Sequence, residues 1–125
     1  MSASEAAPAA VGKLSPDRRP ALTEAEFQEQ VIDLARLLGW RVAHFRAART
    51  LRGWQTPVAG DGKGFVDLVL ARDRVMFVEL KSDTGWLSEH QREWMIALRA
   101  AGAEVHVWKP ALWPEVEATL RRRRP

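Results

Sequence analysis

Apolar positions recur along this chain with two different periods. Phe27, Val31, Leu34 and Leu38 fall three or four residues apart, the stripe of a helix that buries one side. Thr23 stands before them as an N-cap and Gly39 after them as a C-cap, which predicts a helix over 24–38. Trp40 to Phe45 then alternates as a first strand. Two denser runs follow, Gly64 to Leu70 and Val75 to Lys81, each almost continuously apolar, as in strands buried on both faces. Ser88 opens a second helix, with Gln91, Trp94, Met95 and Leu98 on one stripe until Gly102. A short strand over Glu104–Trp108 and a helix from about Pro110 to Leu120 close the chain. The order is helix, three strands, helix, strand, helix (αβββαβα). It predicts an α/β sandwich around a four-stranded mixed sheet.

The intervening segments divide the chain. Residues 1–22 are rich in Ala and Pro and lack periodicity, predicting a disordered leader; residues 23–120 form the ordered domain, and 121–125 a basic tail. Arg46 to Lys63 carries Gly53, Pro57, Gly60 and Gly62 and reads as one long loop, of a length that is usually functional or mobile.

Composition narrows the chemistry. At 125 residues one domain is expected. The absence of cysteine excludes disulfides, thiolate catalysis and cysteine-based zinc sites, and the histidines at 44, 90 and 106 form no zinc pattern. No apolar stretch reaches membrane-spanning length, and the first residues lack the pattern of a signal peptide. A cytoplasmic protein without a membrane partner is expected. The formal charge of +3 favours a polyanionic partner only mildly. Arg41, Arg46, Arg49, Arg52 and Lys63 nevertheless crowd one region, and Arg121 to Arg124 end the chain. Such clusters suit phosphate contacts; a solvated tail is the alternative for the terminal run.

The charges inside the two apolar runs are the strongest chemical signal. An unpaired charge buried in a sheet costs several kcal/mol or more, so Asp67, Glu79 and Lys81 need partners. Glu79 and Lys81, two apart, point to one face. If Arg72-Asp73-Arg74 is a three-residue hairpin loop, Ala71 pairs with Val75 and Asp67 falls opposite Glu79. Facing Cβ atoms then lie roughly 4.5–5.5 Å apart, close enough for both carboxylates to grip one divalent cation. A two-residue loop would set Asp67 opposite Val78 instead.

Taken together, Gly64-Phe65-Val66-Asp67, Glu79-Leu80-Lys81 and Gln91 resemble the PD-(D/E)XK nuclease superfamily and, more narrowly, its virus-type replication-repair nuclease (VRR-NUC) domain in stand-alone phage and bacterial proteins. The similarity runs from about Thr23 to Leu120 and includes Phe27-Gln28-Glu29-Gln30-Val31, Gly39-Trp40, His44, Leu87-Ser88 and Val105 to Pro110. It implies a restriction-endonuclease-like core and a metal-dependent endonuclease acting on DNA, with branched or Holliday-junction-like substrates and a homodimeric state. It also implies Mg²⁺ or Mn²⁺ held by Asp67, Glu79 and the Leu80 carbonyl, hard oxygen donors for a hard cation, with Lys81 positioning the attacking water. Two rival functions remain open, a catalytically inactive DNA-binding module and an RNA-processing nuclease. The family usually carries proline where Val66 stands, a change expected to alter the rigidity of the strand entry and remove no ligand.

Other assignments stay divided. The resemblance offers Glu26 as a further metal ligand, but Thr23-x-x-Glu26 is also a capping box. Gln30, one turn on from Glu26, is placed to face the same cleft. Gln91 either contacts phosphate or the attacking water, or caps its own helix through Ser88-x-x-Gln91. His44 is either a structural residue or a substrate contact. Arg46, Arg49 and Lys63 are expected to hold phosphates without reading sequence. Among the tryptophans, Trp94 and Trp108 are expected in the core, and Trp54, in the loop, is the one candidate to test for base stacking.

Overall fold

The structure, a computed structural model, describes residues 22–45, 48–50, 53–55 and 59–125, the backbone alone at 48–50 and 53–55. The leader up to residue 21, Arg46, and the side chains of Arg49 and Trp54 therefore lie outside the described residues.

Helix α1 spans Glu24–Leu37, and Thr23 caps it through both arms of the capping box. Strand β1 is Arg41–His44. Short strands β2 (Ala48–Thr50) and β3 (Gly53–Gln55) pair antiparallel as a separate ribbon, so the segment read as one loop contains a hairpin. Strand β4 is Leu68–Ala71 and β5 Val75–Leu80; α2 is Glu89–Ala100, capped by Ser88, and β6 is Glu104–Trp108. A 3₁₀ turn over Pro110–Leu112 leads into α3, Trp113–Arg121.

The main sheet has the order β1-β4-β5-β6. Its first two pairings are antiparallel and β5 with β6 is parallel, as the α2 crossover requires. The four-stranded mixed sheet is therefore present. Strand β4 is shorter than the run from Gly64 to Leu70, because Gly64 (φ +81°) and a bond from Phe65 N–H to Gly62 O turn the chain before it pairs.

One face carries the core. Leu68, Leu70, Met76, Val78, Leu80 and Trp108 pack against Phe27, Val31, Ile32 and Ala35 of α1 and Val116 and Leu120 of α3. The face toward α2 is thinner: Met95 is the buried residue of that helix, and Val69 and Phe77 remain half-buried. Burial of both strands on both faces is thus only partly realised.

The β4–β5 loop is the three-residue one, with Ala71 paired to Val75. Arg72 donates to Leu38 O (3.0 Å) and Leu120 O (3.2 Å), and Arg74 to Thr119 O (3.0 Å). These guanidinium groups satisfy carbonyls at the C-terminal ends of α1 and α3, where positive charge is favourable. Both also stack on Trp40, at 4.4 and 5.1 Å from the ring, while Trp40 Nε1 donates to Leu120 O at 2.9 Å. The basic tail joins this clamp, since Arg122 O accepts from Arg72 and Arg74, and Arg124 N donates to Asp73. A loop held this firmly holds the register that follows from it.

Candidate active site

Register places the site. Leu68 pairs with Val78, the last rung of the β4–β5 ladder, so Asp67 and Glu79 face each other one step beyond it. Asp67 Oδ2 accepts from Leu80 N at 2.8 Å, a side chain taking up a backbone donor where the ladder stops. On the other side, Asp67 O accepts from Phe45 N at 3.0 Å. Asp67 is thus held by both neighbouring strands.

Glu79 is only 1% exposed. Its Oε2 accepts from Gln91 Nε2 at 2.8 Å and lies 3.9 Å from Lys81 Nζ. Its Oε1 is buried and meets no donor. Burial, then the nearby Asp67 carboxylate, push the Glu79 carboxyl up to about 9, against the opposing pull of Lys81. Burial also raises Asp67, opposed by the Leu80 N–H, a hydrogen bond with Glu79, Lys81 and His44. Two carboxyls this close and withdrawn from water disfavour ionising together.

That orphaned Oε1 is the test of whether a cation fits. A buried carboxylate oxygen without a donor, facing a second carboxylate, is a site that either a proton or a metal completes. Among the described residues no three His, Asp or Glu side chains form a ready metal cage. The available donors are Asp67, Glu79 and backbone carbonyl oxygen, a set that suits Mg²⁺ or Mn²⁺ with waters retained.

Helix α1 contributes a different glutamate from the one expected. Glu26 is exposed and its Oε1 accepts from Thr23 N at 2.9 Å, closing the capping box. Glu24 instead turns inward. Burial raises its pKa; Lys81 opposes this, Asp67 adds to it, and the Ser82 N–H opposes it again. The signal was in the spacing. Glu24 shares its stripe with Phe27, Gln28 and Val31, whereas Glu26 shares one with Glu29, Gln30 and Asp33. Gln30 is accordingly exposed and Gln28 half-buried.

Gln91 closes its capping box and also reaches the carboxylate pair. Its Oε1 accepts from Ser88 N at 2.8 Å while its Nε2 reaches Glu79, so the cap aims the amide. His44, opposite Leu68 at the end of β1, is near enough to bias Asp67. Lys63 is exposed and, with Asp61, His90, Glu93 and Trp94, lines a cavity of about 450 Å³ whose lining includes neither Asp67 nor Glu79. Trp94 is only half-buried and donates from Nε1 to Asp61 O at 3.0 Å, while Trp108 is fully buried.

Packing replaces proline at the entry to β4. Val66 is fully buried, and the Phe65 ring meets Phe45, Phe77 and Trp94 edge-on at 5.5, 6.4 and 4.9 Å. Gly64 lies against the first turn of α2: a Cβ there would stand 2.6 Å from His90 C and 2.8 Å from Gln91 N. Gly64→Ala is therefore expected to displace Gln91 and to cost about 2–5 kcal/mol, from positive-φ strain and overpacking combined. Gly60→Ala, with similar φ but open space around it, should cost only about 1 kcal/mol. Thermal melts of the two variants check this; equal losses would mean the backbone contact is unimportant.

Comparison with known proteins agrees with this geometry. No curated protein and no solved structure matches the chain. A family model, the VRR-NUC domain, matches residues 22–111, which contain Asp67, Glu79, Lys81 and Gln91. The chain therefore belongs to the VRR-NUC domain family, a family of nucleases.

Proposed function

We propose that the protein is a Mg²⁺- or Mn²⁺-dependent endonuclease that hydrolyses DNA phosphodiester bonds, with branched or otherwise structured DNA as substrate. The observation carrying this reading is the Asp67–Glu79 pair, in which buried Glu79 has Oε1 unsatisfied and Oε2 3.9 Å from the Lys81 ammonium. A DNA-binding module has no need of two desolvated acids beside a polyanion, since they repel phosphate.

Asp67, Glu79 and the Leu80 carbonyl would hold the cation, with Glu24 on the flank. When bound, such an ion polarises the scissile phosphate and lowers the pKa of a water. Lys81 Nζ, 14% exposed on the same face, orients the attacking water and stabilises charge developing on the phosphoryl oxygens. Gln91 holds Glu79 in place through Nε2 and shields that oxygen from water. Exposed Lys63 is proposed to contact phosphate, setting position rather than sequence. Arg46 and Arg49 are proposed to do the same. His44, beside Asp67, is proposed to contact the phosphate flanking the scissile bond. Two copies in a dimer would bring two such sites to the two strands of a junction.

A nicking assay tests the reading. Supercoiled plasmid, a four-way junction and a structured RNA of equal length are each incubated with the protein in Mg²⁺, Mn²⁺ or EDTA. Metal-dependent cleavage fastest on the junction is expected. DNA binding without cleavage in any metal would leave a silent binding module, and faster cleavage of RNA would move the substrate class.

A further inference from the structure

We propose that Trp86 is a stacking platform for an unpaired DNA base next to the scissile phosphate, an inference resting on the nuclease reading above. Trp86 is 86% exposed. An indole offers a large apolar surface that ordinarily seeks burial or a flat partner. Its position connects it to the site. The turn after β5 closes through Gly85 N to Ser82 O at 3.0 Å, and a Cβ on Gly85 would touch Lys81 Cβ and Cδ at 3.4 Å. Trp86 is thus one residue from packing contact with the lysine beside the carboxylate pair.

The loop that presents the ring is anchored. Asp83 Oδ1 accepts from Ala111 N at 2.9 Å, and Asp83 O accepts from Lys109 Nζ at 3.4 Å. Lys109 Nζ also lies 5.8 Å from the Trp86 ring centre. Since Leu80 pairs with Trp108, Lys109 is the next-strand neighbour of Lys81. One ammonium group therefore stands against an exposed indole, just past the end of the strand next to the one that leads into Lys81. Cations for the backbone with an aromatic surface for the base is the combination that binds single-stranded nucleic acid.

Bases inside a duplex are already stacked on both faces. The occupant must then be an unpaired or splayed nucleotide, as found at an overhang or a branch point. A second copy of this chain fits the patch less well, because a two-fold contact through Trp86 would bring each Lys109 toward its equivalent.

The test compares wild type, Trp86→Ala and Trp86→Phe on two labelled duplexes, read by fluorescence anisotropy with Ca²⁺ in place of Mg²⁺. One duplex ends in a thymidine overhang; the other carries abasic sites at those positions. On the thymidine overhang Trp86→Ala should bind about 5- to 150-fold more weakly, with Trp86→Phe retaining most of the affinity. On the abasic overhang both variants should match wild type within about twofold. Equal weakening on both substrates, no weakening on either, or a change of oligomeric state in Trp86→Ala by light scattering would overturn the platform. Because binding is read without cleavage, Trp86-dependent overhang binding with no nicking in Mg²⁺ would sink the enzyme reading alone. Nicking in Mg²⁺ with no effect of Trp86 would sink the platform alone.

Discussion

Asp67→Asn and Glu79→Gln are each expected to abolish metal-dependent DNA cleavage, a loss of at least about a thousandfold, in proteins that remain folded. A catalytic cation supplies several kcal/mol of transition-state stabilisation, and each 1.4 kcal/mol or so is tenfold in rate. Losing one charged ligand from a site with few donors forfeits most of that. The fold should survive because neither acid contributes favourable burial. The Glu79 carboxyl, raised to about 9 against an ordinary value of 4.5, shows that burial disfavours its ionised form. The metal-free folded state therefore binds more protons than the unfolded chain across that window. Its stability is greatest below the lower value and is lost as pH rises toward the upper one. Glu79→Gln removes the titrating group. In EDTA at pH 8 it should melt above wild type, and near pH 5 the advantage should vanish or reverse. Adding Mg²⁺ at pH 8 should raise the melting temperature of wild type and leave Glu79→Gln unmoved. Retained cleavage in either variant, or identical pH profiles, would contradict the shared-ligand role of the pair.

Lys81→Ala is expected to lose about a hundred- to a thousandfold in single-turnover cleavage, the range found when one preorganised donor to a developing oxyanion is removed. Metal binding should persist, because two effects oppose. Removing an ammonium 3.9 Å from Glu79 relieves its repulsion of the cation. It also lets Glu79 hold its proton more tightly, since Lys81 pulls that carboxyl down. Calorimetric Mn²⁺ titration should show an affinity within about tenfold of wild type, the net of two terms each worth on the order of 1 kcal/mol. A lysine serving only as the ion-pair partner of Glu79 would produce the opposite outcome, weakened metal binding with turnover preserved at saturating metal.

Much of the fold was legible because its periods are strong. The α1 stripe, both capping boxes and the loop over Arg72–Arg74 follow from local rules, and the loop length alone places Asp67 against Glu79. The β2–β3 hairpin was not legible, since strands of three residues each give too short a run for alternation to register. Glu26 attracted attention by its place in a motif, while the stripe through Phe27 and Val31 already pointed to Glu24. Trp86 was passed over because nothing local separates an exposed tryptophan from a buried one.

By itself the chain's residue order determined the helix and strand periods, the hairpin register and the chemical nature of the site, each a matter of neighbours within a few positions. Tertiary structure decided which oxygen of Glu79 is left without a donor, which glutamate of α1 joins Lys81, and which indole stays in water. Those outcomes depend on burial and on contacts between segments far apart in the chain, and no local period encodes either one.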